Sequence, residues 1–151
     1  MPKASIKRLI ECNKKDLINL VLDIEKYPEF IPFCYGSKIC ERKEVDGSIK
    51  IIADLTIGKG PFKDSYKSDV LFNNQEESIY VKNIDGPLNH LSNKWLFKQQ
   101  NNLTEVMFEI DFEIKNKFLN SMMAASFNFG LEKIADAFQK RAEELFSNSK
   151  N

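Results

Sequence analysis

The alternation of polar and apolar residues changes period several times along the chain, and those changes outline the elements. From Lys3 to Glu11 the residues alternate, with Ala4, Ile6, Arg8 and Ile10 on one side, which predicts a first strand. Asn13 then reads as a helix N-cap with Asp16 three places on, and Leu17, Ile18, Val21 and Leu22 follow at helical spacing, predicting a short helix from Lys14 to Ile24. In "EKYPEFIPF", Pro28 suits the first turn of a second short helix and Pro32 ends it. From Ser37 the period is two. Strands are predicted at Ser37–Val45 and Ser48–Ile57, joined by a hairpin turn at Asp46-Gly47. "GKGP" at Gly58–Pro61 reads as a break, Phe62–Phe72 and Glu77–Ile84 as strands, and "DGPLNHL" at Asp85–Leu91 as a loop. Asn93–Gln99 puts Trp95 and Phe97 on one face. Leu103–Ile114 alternates most cleanly, with Val106, Phe108, Ile110, Phe112 and Ile114 opposite Glu105, Glu109, Asp111 and Glu113.

A long helix, Lys117 to Ser147, closes the chain. Met123, Phe127, Leu131, Ile134, Phe138, Ala142 and Leu145 share one of its faces. A second apolar set, Phe118, Met122 and Phe129, points the other way and is confined to the N-terminal half, since Glu132, Asp136 and Lys140 continue that side. A continuous antiparallel sheet with one long helix must curl around that helix to cover its apolar stripe. The expected fold is therefore α+β and helix-grip: a curled antiparallel sheet of about seven strands around the C-terminal helix, with two short helices after the first strand. The extra apolar face calls for a further cover, either the short helices and a loop or something brought to the protein.

Composition narrows the reading. The 151 residues suit one domain, expected to span residues 1–151, and 29% charged with 42% apolar residues is an ordinary globular balance. Twenty-two basic and 22 acidic residues leave no global field that would draw the chain to DNA. Twelve of the aromatic residues are Phe, which supplies apolar area without a polar handle and suits a core or a greasy cavity. The N-terminus carries neither a signal-peptide pattern nor a membrane span, so a cytoplasmic protein is expected. Cys12, Cys34 and Cys40 with a single His fit reduced thiols and neither a disulfide framework nor a zinc site.

The inventory for catalysis is thin. His90, read as a loop residue, has no nucleophile to pair with, and Cys34 reads as a small buried hydrophobe. Lys38, Arg42, Lys43, Lys50, Lys59, Lys63 and Lys67 could make a basic face, but Asp54, Asp64 and Asp69 are interspersed, so a solvated sheet face is the plainer account. Tyr66 and Asp64 share the strand face of Phe62 and are the one pair that a cyclase-type reaction could use. Few chemical groups and much apolar surface favour binding an apolar molecule over transforming a polar one.

Four blocks, "VLDIEKYPEFIPFC", "DLTIGKGPFKDSYKSDV", "IDGPLNHLSNKWLFK" and "EVMFEIDFEIKNKFL", resemble in order and spacing the coenzyme Q-binding family of the polyketide cyclase/START-like superfamily, which overlaps with bacterial ribosome association toxins. The resemblance runs from Ala4 to Phe146. Phe33 stands where many relatives have Trp, and Leu88 where many have Phe; both changes keep the position apolar. The resemblance implies a START/Bet v 1-like helix-grip domain with a tunnel between sheet and helix. It further implies a non-enzyme that takes ubiquinone or a similar isoprenoid lipid as ligand, needs no cofactor or metal, and supports respiratory electron transfer. The alternative it implies is a ribosome-associated inhibitor of translation, the toxin of a toxin-antitoxin system. Expected partners are the quinone or other lipid, a transient contact with the inner face of the respiratory membrane, and in the alternative the ribosome. The expected ligand-binding residues are Phe30, Ile31, Phe33, Phe62, Trp95, Met122, Met123 and Phe127, with the Tyr27–Cys34 segment as a rim over the tunnel mouth.

Overall fold

The computed structural model describes residues 3–59, 61–85, 88–118, 120–121 and 127–146, with the backbone alone at 59, 62, 64, 85, 88, 89, 114 and 127–129. The chain runs β1 (Lys3–Ile10), α1 (Lys14–Leu22), a 3-10 helix (Ile24–Glu29), β2 (Cys34–Val45), β3 (Ser48–Lys59), β4 (Phe62–Asn73), β5 (Ser78–Asp85), β6 (Leu88–Gln100), β7 (Leu103–Ile114) and α2 (Phe127–Phe146). The strands form one seven-stranded antiparallel sheet in the order β1-β7-β6-β5-β4-β3-β2, curled with the C-terminal helix on its inner face. The consecutive strands β1 and β2 lie at opposite edges, so α1 and the 3-10 helix cross between them.

Local signals set most of the boundaries. Asn13 Oδ1 accepts the Asp16 N–H at 2.8 Å, satisfying one free donor at the start of α1. Asp46 and Gly47 both take positive φ, 52° and 85°, the geometry a two-residue hairpin needs. The predicted inner face of β3 is buried from Ile49 through Leu55. The side chain of Thr104, fully buried on β7, donates to the Cys12 carbonyl at 2.8 Å and fastens the turn into α1 to the sheet.

Four expectations are corrected. Leu88–Leu91 is strand, not loop, because β6 pairs with β7 from Leu88↔Ile114 onward; that ladder outweighs the local turn residues, and the irregularity shrinks to a bulge between Leu88 and His90. His90 is accordingly a strand residue. β3 and β4 pair as far as Lys59↔Phe62, so Gly58 and Lys59 of the "GKGP" break belong to the strand ladder. Pro28 lies in the last turn of the 3-10 helix, not the first, where the Phe30 N–H reaches the Tyr27 carbonyl at 3.2 Å. On α2, Leu145 is 53% exposed and Phe146 packs on the core instead, because the buried seam runs 134, 138, 142, 146 at steps of four. Helical backbone also occurs at 117, 118, 120 and 121, while Ser147 lies outside the described residues.

Candidate functional site

The inner face of the sheet is read most easily as parallel rows of side chains. One row is Ile49, Phe72, Ile79, Trp95 and Phe108, linked by the register of successive strands. Trp95 is at its centre, 4.6 Å from the Phe108 ring and 5.1 Å from Phe138 of α2. Phe138 also meets Tyr27 at 5.5 Å and Phe30 at 5.4 Å, all edge-on, the arrangement aromatic quadrupoles favour. The Tyr27 hydroxyl donates to the Val21 carbonyl, and Arg141 lies over the Phe30 ring, 5.2 Å from its centroid, while holding Glu29 at 2.8 Å. Between the C-terminal half of α2 and the sheet, the interior is thus filled by interlocked rings.

The next row differs. Val70, Val81, Asn93 and Ile110 succeed one another across β4 to β7. Val70 is buried, but Val81, Asn93 and Ile110 are only half-buried although they lie on the inner face of central strands. Beyond them Leu91 and Phe112 form a small separate cluster against which Tyr66, Val81 and Ile110 pack. Tyr66 faces inward, and burial pushes its hydroxyl up to about 12, with Cys34 nearby adding to the effect, so at neutral pH it is a proton-bearing donor. Asn93 Oδ1 is buried without a hydrogen-bond partner among the described residues.

The expected site residues fall in different places. Phe30 and Trp95 are brought together across Phe138, and Ile31 packs against the same cluster. Phe33 is half-buried with φ of 70°, a left-handed conformation that costs a bulky residue about 1–2 kcal/mol. Its carbonyl accepts the Gly58 N–H at 3.0 Å, and its ring edge lies 4.0 Å from where a Cβ on Gly130 would sit, so it reaches the N-terminal part of α2. Phe62 opens β4 and Phe127 opens α2, and their side chains lie outside the description. Met122 and Met123 lie outside the described residues altogether. The Tyr27–Cys34 segment does not present all its apolar groups to an opening, since Tyr27 and Phe30 are committed to Phe138. Asn93 carries a signal that the pattern already held: a lone amide at inward parity between Leu91 and Trp95.

The remaining groups are structural or superficial. Cys34 is buried and its thiol is pushed up by that burial, as is Cys12, to about 11. His90 Nε2 pairs with Asp111 at 3.0 Å on the outer face. A bulge between Ile39 and Glu41 reverses the parity of β2, so Lys43 shares the outer face with Lys50 whereas Arg42 aligns with inward Ile51. Lys67 is held by Asp54 at 3.0 Å, which neutralises part of the basic face, and Lys63 keeps its charge over the Tyr35 ring at 3.9 Å. Among the described residues no helix is long and apolar enough to cross a membrane.

This architecture and sequence have known counterparts. The chain is 29% identical over 141 residues to the ribosome association toxin RatA of Rickettsia prowazekii, covering 91% of this chain and 94% of that protein. It is 32% identical over 136 residues to the mitochondrial coenzyme Q-binding protein COQ10 of Dictyostelium discoideum, covering 87% of this chain and 64% of that one. The solution structure of an 18 kDa protein from Caulobacter crescentus superposes with a TM-score of 0.79 at 26% identity, over 96% of this chain and 98% of the other. Residues 15–139 match the family described as polyketide cyclase / dehydrase and lipid transport, and the chain belongs to that family.

Proposed function

We propose that the protein binds an isoprenoid quinone, ubiquinone or a close analogue, between sheet and α2 and carries it without chemical change. The observation behind this reading is the half-buried inner row, Val81, Asn93 and Ile110, on central strands whose neighbouring row is buried from Ile49 through Trp95. A sheet that only needed a core would close both rows. An apolar tail laid there gains roughly 0.8 kcal/mol per CH2-sized group removed from water, enough over several isoprene units to exceed the cost of ordering the chain. The likeness to a coenzyme Q-binding protein supports the ligand class. The family's description spans cyclases and dehydrases as well as lipid transport. Among the described side chains the inner face offers Tyr66 as a donor and no charged group beside it, which favours carriage; the side chain of Asp64, two places along the same strand face, lies outside the described residues. The carrier would work in the cytoplasm and touch the inner face of the respiratory membrane transiently to load and unload.

Mass spectrometry of lipids extracted from protein purified out of a quinone-rich host tests this. A quinone near one per chain is the expected result. Correctly folded protein that holds no isoprenoid lipid, and takes none up from quinone-loaded vesicles, overturns it.

The second reading is ribosome association with inhibition of translation, favoured by the near full-length likeness to RatA. Co-sedimentation with ribosomal subunits that falls steeply with salt, and is lost on combining Lys63→Glu with Lys67→Glu, would support it; protein that never sediments with ribosomes excludes it.

A further inference from the structure

We infer that Asn93 is the anchor for the polar head of the ligand: its side-chain amide hydrogen-bonds a carbonyl or hydroxyl oxygen carried by an otherwise apolar molecule. This rests on the lipid-binding reading above and adds to it a residue, a depth and a requirement on the ligand's chemistry.

Asn93 lies in the middle of β6, paired with Val81 on one side and Ile110 on the other, so its neighbours across both strands are aliphatic. Its inward neighbours along the strand, Leu91 and Trp95, are buried. An amide in that position has one acceptor and two donor sites, and leaving a buried one unmet costs free energy that any aliphatic residue would avoid. Oδ1 is nevertheless buried and unmet among the described residues. Among the described residues the other buried polar side-chain atom without a partner, Arg141 Nε, belongs to a guanidinium already engaged by Glu29 and Phe30, so its cost is offset locally. Among the described residues Asn93 has no such compensation. Its amide nitrogen and oxygen exchange places by a simple flip, so the same side chain can accept from a hydroxyl or donate to a carbonyl. Tyr66, packed against the same Leu91–Phe112 cluster, offers a hydroxyl donor from the neighbouring part of the inner face. The pair suits a ligand with oxygen atoms on a compact ring and nothing polar behind it. It does not suit a charged phosphate head, since among the described side chains no cation lies with Tyr66, Val81, Asn93, Ile110, Leu91 and Phe112 on this stretch of the inner face.

The test compares wild type with Asn93→Leu for two probes, a short-tailed ubiquinone and squalene, a polyprenyl hydrocarbon without a head. Asn93→Leu should bind the quinone about tenfold more weakly, the worth of one buried hydrogen bond, and bind squalene as well as wild type or better. The empty variant should melt at the same temperature as wild type or higher, because an unmet buried amide has been removed; an Asn with a purely structural role would give a lower melting temperature. Equal quinone affinity in the two proteins, or a loss of melting temperature, overturns the anchor. Failure of wild type to bind either probe overturns the lipid reading itself, and with it the anchor. Independently of any variant, the carbonyl stretch of quinone bound to wild type should be shifted to lower frequency relative to the quinone in hexane, and an unshifted band excludes a hydrogen bond to the head.

Discussion

The two rows of the inner face lie on the same strands, yet one is buried from Ile49 through Trp95 while the other leaves Val81, Asn93 and Ile110 half-buried. Around Trp95 every direction is occupied: Phe108 and Phe97 along the sheet, Phe138 from the helix, with Tyr27 and Phe30 behind it. One step along β6, Asn93 sits between aliphatic residues that keep part of their surface accessible. The difference lies in what the helix and the 3-10 segment bring. The C-terminal half of α2 carries Phe138, Ala142 and Phe146 into the sheet and meets α1 and the segment after it. The interlocked rings are concentrated at that end, and the half-buried inner positions lie at the other.

The sharpest way to break this contrast is to truncate one side chain at each end. Phe138→Ala should cost about 3–5 kcal/mol in chemical unfolding, because three rings lose their common partner and the space cannot collapse. Ile110→Ala, at a half-buried position, should cost only about 1 kcal/mol while reducing lipid retention. Equal losses would mean that the interior has no two ends. A smaller change sharpens the picture. Tyr27→Phe keeps the ring against Phe138 and removes only the hydroxyl's bond to Val21, so a loss of about 1 kcal/mol is expected, with ligand retention untouched. The smallest effect belongs to the clamp between β1 and α2, where Arg8 holds Glu132 at 2.6 Å and Asp136 at 2.7 Å, both carboxylates being well exposed. Arg8→Gln should cost roughly 0.5–1 kcal/mol, and the difference from wild type should shrink as salt is raised.

How much of this was legible beforehand depended on the range of the interaction. The Asn13 cap, the Asp46-Gly47 turn and the alternation of Leu103–Ile114 are local, and each element formed where its residues pointed. Arg8 was placed on the inward side of β1 by parity alone, and it does reach the helix from there. His90 and Leu88 were misread because turn-forming neighbours are a local signal, while the β7 ladder that holds them comes from more than 20 residues away. Leu145 was misread because a stripe on a helical wheel does not say which of two flanking positions finds a partner, and Phe146 brought the larger side chain to the core. For the site, the richness in Phe and the poverty of acid–base pairs pointed to an apolar ligand. The sequence offered Trp95 and Phe30 as equals of any other greasy residue, whereas their rings are spoken for by Phe138.

The order of elements, their periods and the sheet's buried face were determined by the chain itself, since each depends on which residues stand two, three or four places apart. Which part of that buried face is sealed and which stays accessible was decided only by the tertiary structure. Closure depends on the side chains that a helix later in the chain lays over the sheet, as Phe138 does over Trp95, and the lone inward amide of Asn93 acquires its meaning only when the strands on both sides of it, and its unmet Oδ1, are known.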